Sequence, residues 1–163
     1  MKKSQEENLI IKNIIFDVDG VFTNGKFVYN AEGKIFKEFG AHDSDGIKLL
    51  KRAGINVFSV TADKRGFEIS KARMHDLGLE LYLKNEASRL DWVVENFDLS
   101  TTGYMGDGHY DAVILSKVAL GIAPMNATQV AKLSANFITP SIGGSGAVYE
   151  ACIQILEYIG EAY

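Results

Sequence analysis

A single cysteine, Cys152, among 163 residues excludes an internal disulfide and any metal centre built on thiolates. Its place in the apolar run VYEACIQIL marks it as a small core residue rather than a reactive thiol. Positive charge is also scarce. With 17 Lys and Arg against 21 Asp and Glu, the formal net charge is −4, and no Lys/Arg stripe interleaves with aromatics, so nucleic acid is not expected as a partner. No apolar run reaches the roughly eighteen residues a membrane span needs. The opening MKKSQEEN likewise lacks the apolar segment of a signal peptide. A membrane is therefore not an expected partner, and the expected location is the cytoplasm. Repeats, low-complexity tracts and linker-like stretches are missing too. A chain of 163 residues that is 47% apolar suits one domain spanning 1–163 with a sizeable core.

What the chain does have is alternation. Short apolar runs rich in β-branched residues (LIIKNIIF at 9–16, INVFSV at 55–60, LELYL at 79–83, TGYMG at 102–106, VALGI at 118–122, NFIT at 136–139) read as strands covered on both faces. Segments of helical period lie between or after them, at 44–52, 64–77, 86–97, 111–117, 126–133 and 146–158. The pattern predicts an α/β fold, a doubly wound, Rossmann-like, mostly parallel sheet with helices on both faces. One segment stands outside it. KFVYNAEGKIFKEF, at 26–39, reads as a β-hairpin turning at NAEG, with more aromatics than a hairpin buries alone. It either folds onto its own domain or meets another subunit.

Ligands of such a sheet bind beyond the carboxyl ends of its strands. There the first strand delivers Asp17 and Asp19, the second Thr61 and Asp63, the segment after the third Lys84 and Arg89, and the fourth Asp107 and Asp111. Ionised carboxylates this close repel one another, so a cation is expected among them. Oxygen ligands and a neighbouring hydroxyl suit Mg²⁺ carrying a phosphate. Phosphoryl transfer then assigns roles: Asp17 as nucleophile, Asp19 as general acid and base, Thr61 and Arg89 on the phosphate, Asp107 on the metal with Asp111 bracing it.

DVDGV, the VTA stretch, a basic residue on the helix after the third strand, and GDxxxD, in this order, resemble the four motifs of the haloacid dehalogenase phosphatase superfamily. FTNG after the first motif, the hairpin, DSDGI and GGSGAVYE are similar to its small capless branch. That branch contains 3-deoxy-D-manno-octulosonate 8-phosphate phosphatase and the nonulosonate 9-phosphate phosphatases. The resemblance covers nearly the whole chain. It implies no cap domain and a phosphatase of a phosphorylated sugar acid with eight or nine carbons, working through an aspartyl phosphate. It further implies Mg²⁺ held by Asp17, Asp107 and the carbonyl of Asp19, and a homotetramer whose hairpins pack together. Asn24, Asp43, Thr61, Ala62 and Lys84 fall on its phosphate and substrate side.

Four positions depart from that pattern. Arg89 stands where lysine is usual, with Lys84 as an alternative donor; Ala62 stands where glycine is common; Gly108 replaces a second aspartate, leaving more of the metal support to Asp111; and Tyr149 stands where arginine is frequent. Asp43 either caps a helix or touches substrate. His42 and His109 can border the site, while His75 reads as surface. Two other classes are compatible with an acidic doubly wound fold. A non-catalytic oligomerisation or binding domain of this fold would usually have lost Asp17, Asp19 or Asp107, and a phospho-receiver domain needs an aspartate on the third strand, where LELYLKNE has none.

Overall fold

Alternation of apolar and periodic segments produces the expected sheet. In the computed structural model, which describes residues 9–163, the strands are β1 (Asn13–Asp17), β2 (Val28–Asn30), β3 (Gly33–Phe36), β4 (Asn56–Thr61), β5 (Leu81–Leu83), β6 (Thr102–Met105), β7 (Leu120–Ala123) and β8 (Phe137–Ile138). The helices are α1 (Asp43–Arg52), α2 (Phe67–Asp76), α3 (Arg89–Asn96), α4 (Asp111–Leu115), α5 (Gln129–Ser134) and α6 (Ala147–Ile159). The charged opening on which the signal-peptide reading rests lies outside the described residues. Among those residues no helix is long and apolar enough to cross a membrane.

Six strands pair in the order β5-β4-β1-β6-β7-β8, every pair parallel. The chain leaves β1 for β4 and β5 on one side, then crosses back to β6, β7 and β8 on the other. The order therefore reverses between β1 and β6, where a crevice opens. Successive side chains of β1 face opposite ways. Ile14 and Phe16 join Ile47 and Leu50 of α1, Met74 of α2, and Cys152 and Ile155 of α6. Ile15 joins Val93 of α3, Ile114 of α4 and Ala131 of α5 on the other face. Burial on both faces explains the unbroken apolar runs. The first run, expected as a strand from 9, starts pairing only at Asn13, because β4 and β6 begin opposite it with Asn56 and Thr102.

The hairpin of β2 and β3 forms a separate antiparallel ribbon. Its turn is local chemistry: the Asn30 side-chain oxygen accepts from the Glu32 N–H at 2.9 Å and the Gly33 N–H at 3.1 Å. The ribbon does not fold flat onto its own domain. Phe27, Val28, Tyr29, Ile35 and Phe36 are all exposed.

Candidate active site

The site grows from the end of β1. Asp17 is the last residue of that strand, and the 18–25 loop then doubles back, with the N–H groups of Val21 and Phe22 donating to the Val18 carbonyl. Thr23, fully buried, holds the loop by accepting from the N–H of Gly20 at 3.0 Å and of Gly25 at 3.2 Å. Gly20 is required twice over. Its φ is +85°, and a Cβ there would stand 2.0 Å from Oδ2 of Asp107. The loop after β1 and the acid after β6 thus touch across the crevice.

Arg89, at the start of α3, reaches into this acid cluster and is 4% exposed. One terminal nitrogen lies 3.1 Å from Oδ1 of Asp17, 3.1 Å from Oδ1 of Asp111 and 3.1 Å from the Tyr104 hydroxyl. Burial works against its charge, but Asp17, Tyr104 and Asp111 more than restore it, and its pKa stands above the usual arginine value. Tyr104, buried inside β6, donates to Asp111 Oδ1 at 2.6 Å. The other Asp111 oxygen accepts from the N–H groups of Asp107 at 3.1 Å and Gly108 at 2.9 Å. Asp111 is therefore fully engaged and braces the loop that carries Asp107.

One carboxylate oxygen each from Asp17, Asp107 and Asp111 lies within 4.8 Å of the others. Burial raises Asp17 well above the usual carboxylate range, with Asp111, Asp107 and Asp19 adding to the rise and Arg89 opposing it. Asp107 is pushed up to about 7, by burial and then by Asp111. A single arginine does not neutralise three acids, and an all-oxygen donor set of this kind fits a hard divalent cation.

A second set of contacts flanks the first. Oδ2 of Asp19 accepts from the Thr61 hydroxyl at 3.1 Å, and Thr61 Oγ1 accepts from the Asp63 N–H at 3.1 Å. Asp63 is bound by Lys34 and Lys37, both from the hairpin segment, and by the Gly66 N–H at 3.0 Å. Burial works against its charge, yet these donors draw its pKa down to about 2. The cleft above, about 530 Å³, is lined by Asp17, Asp19, Ala62, Arg89, Asp107 and His109, with Lys64 and Arg65 at its rim.

The structure thus brings together Asp17, Asp19, Thr61, Ala62, Arg89, Asp107 and Asp111. Lys84 stands apart, its ammonium over the Trp92 ring at 5.6 Å, and Arg89 is the cation that meets Asp17. Asn24 accepts from the Lys26 N–H at 2.9 Å and closes its own turn. Asp43 makes no capping bond at the start of α1. It is buried, pushed up to about 6 chiefly by that burial, and its Oδ2 lacks a hydrogen-bond partner among the described residues. His42 borders a different cavity, with Tyr149. Tyr104 and Lys37 escaped the sequence reading. A tyrosine inside a buried strand and a lysine in a hairpin arm carry no signal until the fold aims them.

No protein-family profile matches the chain. With its acids gathered at the switch point of a doubly wound sheet and no cap evident over them, the chain falls in the haloacid dehalogenase class of phosphatases. Within that class it belongs to the family of the 3-deoxy-D-manno-octulosonate 8-phosphate phosphatases. The Haemophilus influenzae enzyme of that name is 31% identical over 157 residues, covering 93% of this chain and 86% of its own. The same enzyme's cobalt-bound structure superposes with a TM-score of 0.79 at 31% identity, over 92% of this chain and 90% of that one. The Moraxella catarrhalis phosphatase, solved with a magnesium ion, a phosphate ion and a KDO molecule, gives 0.80 at 28% identity, over 92% and 88%.

Proposed function

We propose that this chain hydrolyses a phosphorylated sugar acid, 3-deoxy-D-manno-octulosonate 8-phosphate, with Mg²⁺ held by the side chains of Asp17 and Asp107 and the carbonyl of Asp19. The observation that carries this reading is the convergence of Asp17, Asp107 and Asp111 at the switch point, with Arg89 against Asp17. In the first step an Asp17 oxygen attacks phosphorus, the bond to the sugar oxygen breaks, and Asp19 gives that oxygen a proton. In the second, water attacks phosphorus, Asp19 takes its proton, the bond to Asp17 breaks and phosphate leaves. Arg89 supplies charge beside the phosphate oxygens, and the Thr61 hydroxyl, which donates to Asp19 in the absence of substrate, turns its proton to them when phosphate binds. Bound magnesium contributes positive charge that keeps the acids ionised and offsets charge on the phosphate. The exposed hairpin aromatics support contact with a neighbouring subunit that covers the open cleft; a homotetramer is proposed from the resemblance to the capless branch, and a cytoplasmic location from the sequence.

The test is phosphate release by purified protein with Mg²⁺ from eight-carbon and nine-carbon keto-sugar acid phosphates. Activity on the eight-carbon ester, reduced by about 10³-fold or more in Asp17→Asn, is expected. Preference for the nine-carbon ester would move the substrate assignment. No release from either would point to a non-catalytic domain.

A further inference from the structure

Lys37 follows β3 in the hairpin segment, outside the six-stranded sheet, yet its side chain is fully buried beneath the cleft. Its ammonium lies 2.6 Å from Oδ1 of Asp19 and 2.8 Å from Oδ2 of Asp63, and it donates to Ser70 Oγ at 2.8 Å. The Ser70 contact is a hydrogen bond and the two carboxylate contacts are ion pairs, so the buried charge is matched on both sides. Oδ1 of Asp19 has no partner in hydrogen-bond geometry among the described residues and is held by the charge of Lys37, while Oδ2 takes the Thr61 hydroxyl. Burying a lysine is costly unless its charge is matched. Fastening the hairpin does not require that cost, because Lys34 already pairs with Asp63 and packs over the Phe27 ring at 3.5 Å. Beyond its ties to Asp63 and Ser70, Lys37 brings its charge onto Asp19, which Lys34 does not reach.

We infer that Lys37 is a positioning residue for Asp19, fixing its carboxylate in the orientation from which it accepts the proton of the attacking water. The inference rests on the acid/base role proposed for Asp19. The step it serves is hydrolysis of the phosphoryl-Asp17 ester: the water oxygen bonds to phosphorus, the water proton passes to Asp19, and the Asp17 oxygen departs as carboxylate. Lys37 acts through Asp19, whose Oδ1 it holds at 2.6 Å, and has no part in the bonds made or broken at phosphorus. Misplacing a base by about 1 Å is enough to slow such a step by around 10²-fold.

An aryl phosphate isolates that step, because its leaving group departs without an acid. With it, Lys37→Met is expected to lower kcat by about 10- to 100-fold while kcat/KM stays within about threefold of the parent protein. A burst of aryl alcohol equal to the enzyme should appear, with the phosphoryl protein visible by intact mass. A proportional fall in kcat and kcat/KM with no burst would make Lys37 merely structural and overturn the inference. Ser70→Ala, which removes one anchor of the ammonium, carries the same test where Lys37→Met fails to fold: a fall confined to kcat supports the assignment, and an unchanged kcat or a proportional fall overturns it. Asp19→Asn separates the two proposals. If it neither bursts nor accumulates phosphoryl protein, the role of Asp19 fails; if it does both while Lys37→Met turns over normally, only the assignment of Lys37 fails.

Discussion

Asp107 carries the most testable charge in the molecule. Its pKa in the folded, metal-free chain is about 7 against 3.8 for the free side chain, raised by burial and by Asp111. A raised carboxylate contributes stability below the unfolded pKa and loses it as pH rises through the folded one. Metal-free protein should therefore lose stability between about pH 4 and 7, and added Mg²⁺ should restore it, as thermal melts can record. Because the metal competes with that proton, its affinity by calorimetry should be at least about tenfold weaker at pH 6 than at pH 8. Asp43 obeys the same sign with no bearing on the metal. Its folded pKa is about 6, raised by burial, so its contribution is present near pH 4 and gone above pH 6. Asp43→Asn should stabilise the protein by about 2 kcal/mol at pH 8, and melts at pH 4 should show the gain vanish. At this scale the acids were legible in the sequence, because a carboxylate ending an apolar strand stands out chemically. The choice of Arg89 over Lys84 was not. Both follow β5 within a few residues, and only the direction in which α3 sets off decides which one enters the cleft.

Elements place these residues, and the loop after β1 does so most tightly. In Gly20→Ala the new methyl would meet Asp107 and the backbone would be held at a φ of +85°. The variant should fold with a lower melting temperature, bind Mg²⁺ at least about tenfold more weakly by calorimetry, and lose activity in parallel. Strand and helix identities were readable from period, since β1 alternates between two apolar faces and α1 buries Ile47 and Leu50 one turn apart. Boundaries were less so. The strand expected from 9 waits for partners at Asn13, and the helix expected from 126 waits for Thr128, whose hydroxyl oxygen accepts the Ala131 N–H at 3.4 Å.

At the scale of the whole molecule, the hairpin both enters the site and faces outward. Lys34 and Lys37 point in to Asp63 and Asp19 while Tyr29 and Phe36 remain 53% and 48% exposed. If these rings pack against other subunits, Tyr29→Glu with Phe36→Glu should shift light-scattering mass from tetramer toward smaller species, weakening assembly by at least about tenfold. Activity should fall with it, because the cleft would lose the neighbour proposed to cover it.

The sequence by itself determined the alternation of strands and helices, the doubly wound sheet and the rank of acids at its edge. Periodicity and strand-end chemistry are local properties that need no knowledge of neighbours. Only the tertiary structure decided that Arg89 bridges Asp17 and Asp111, that Tyr104 locks Asp111, and that a hairpin lysine grips Asp19. Those contacts join elements whose relative placement follows from packing the whole core, and a side chain's partner is fixed by where its backbone is carried rather than by its immediate neighbours in the chain.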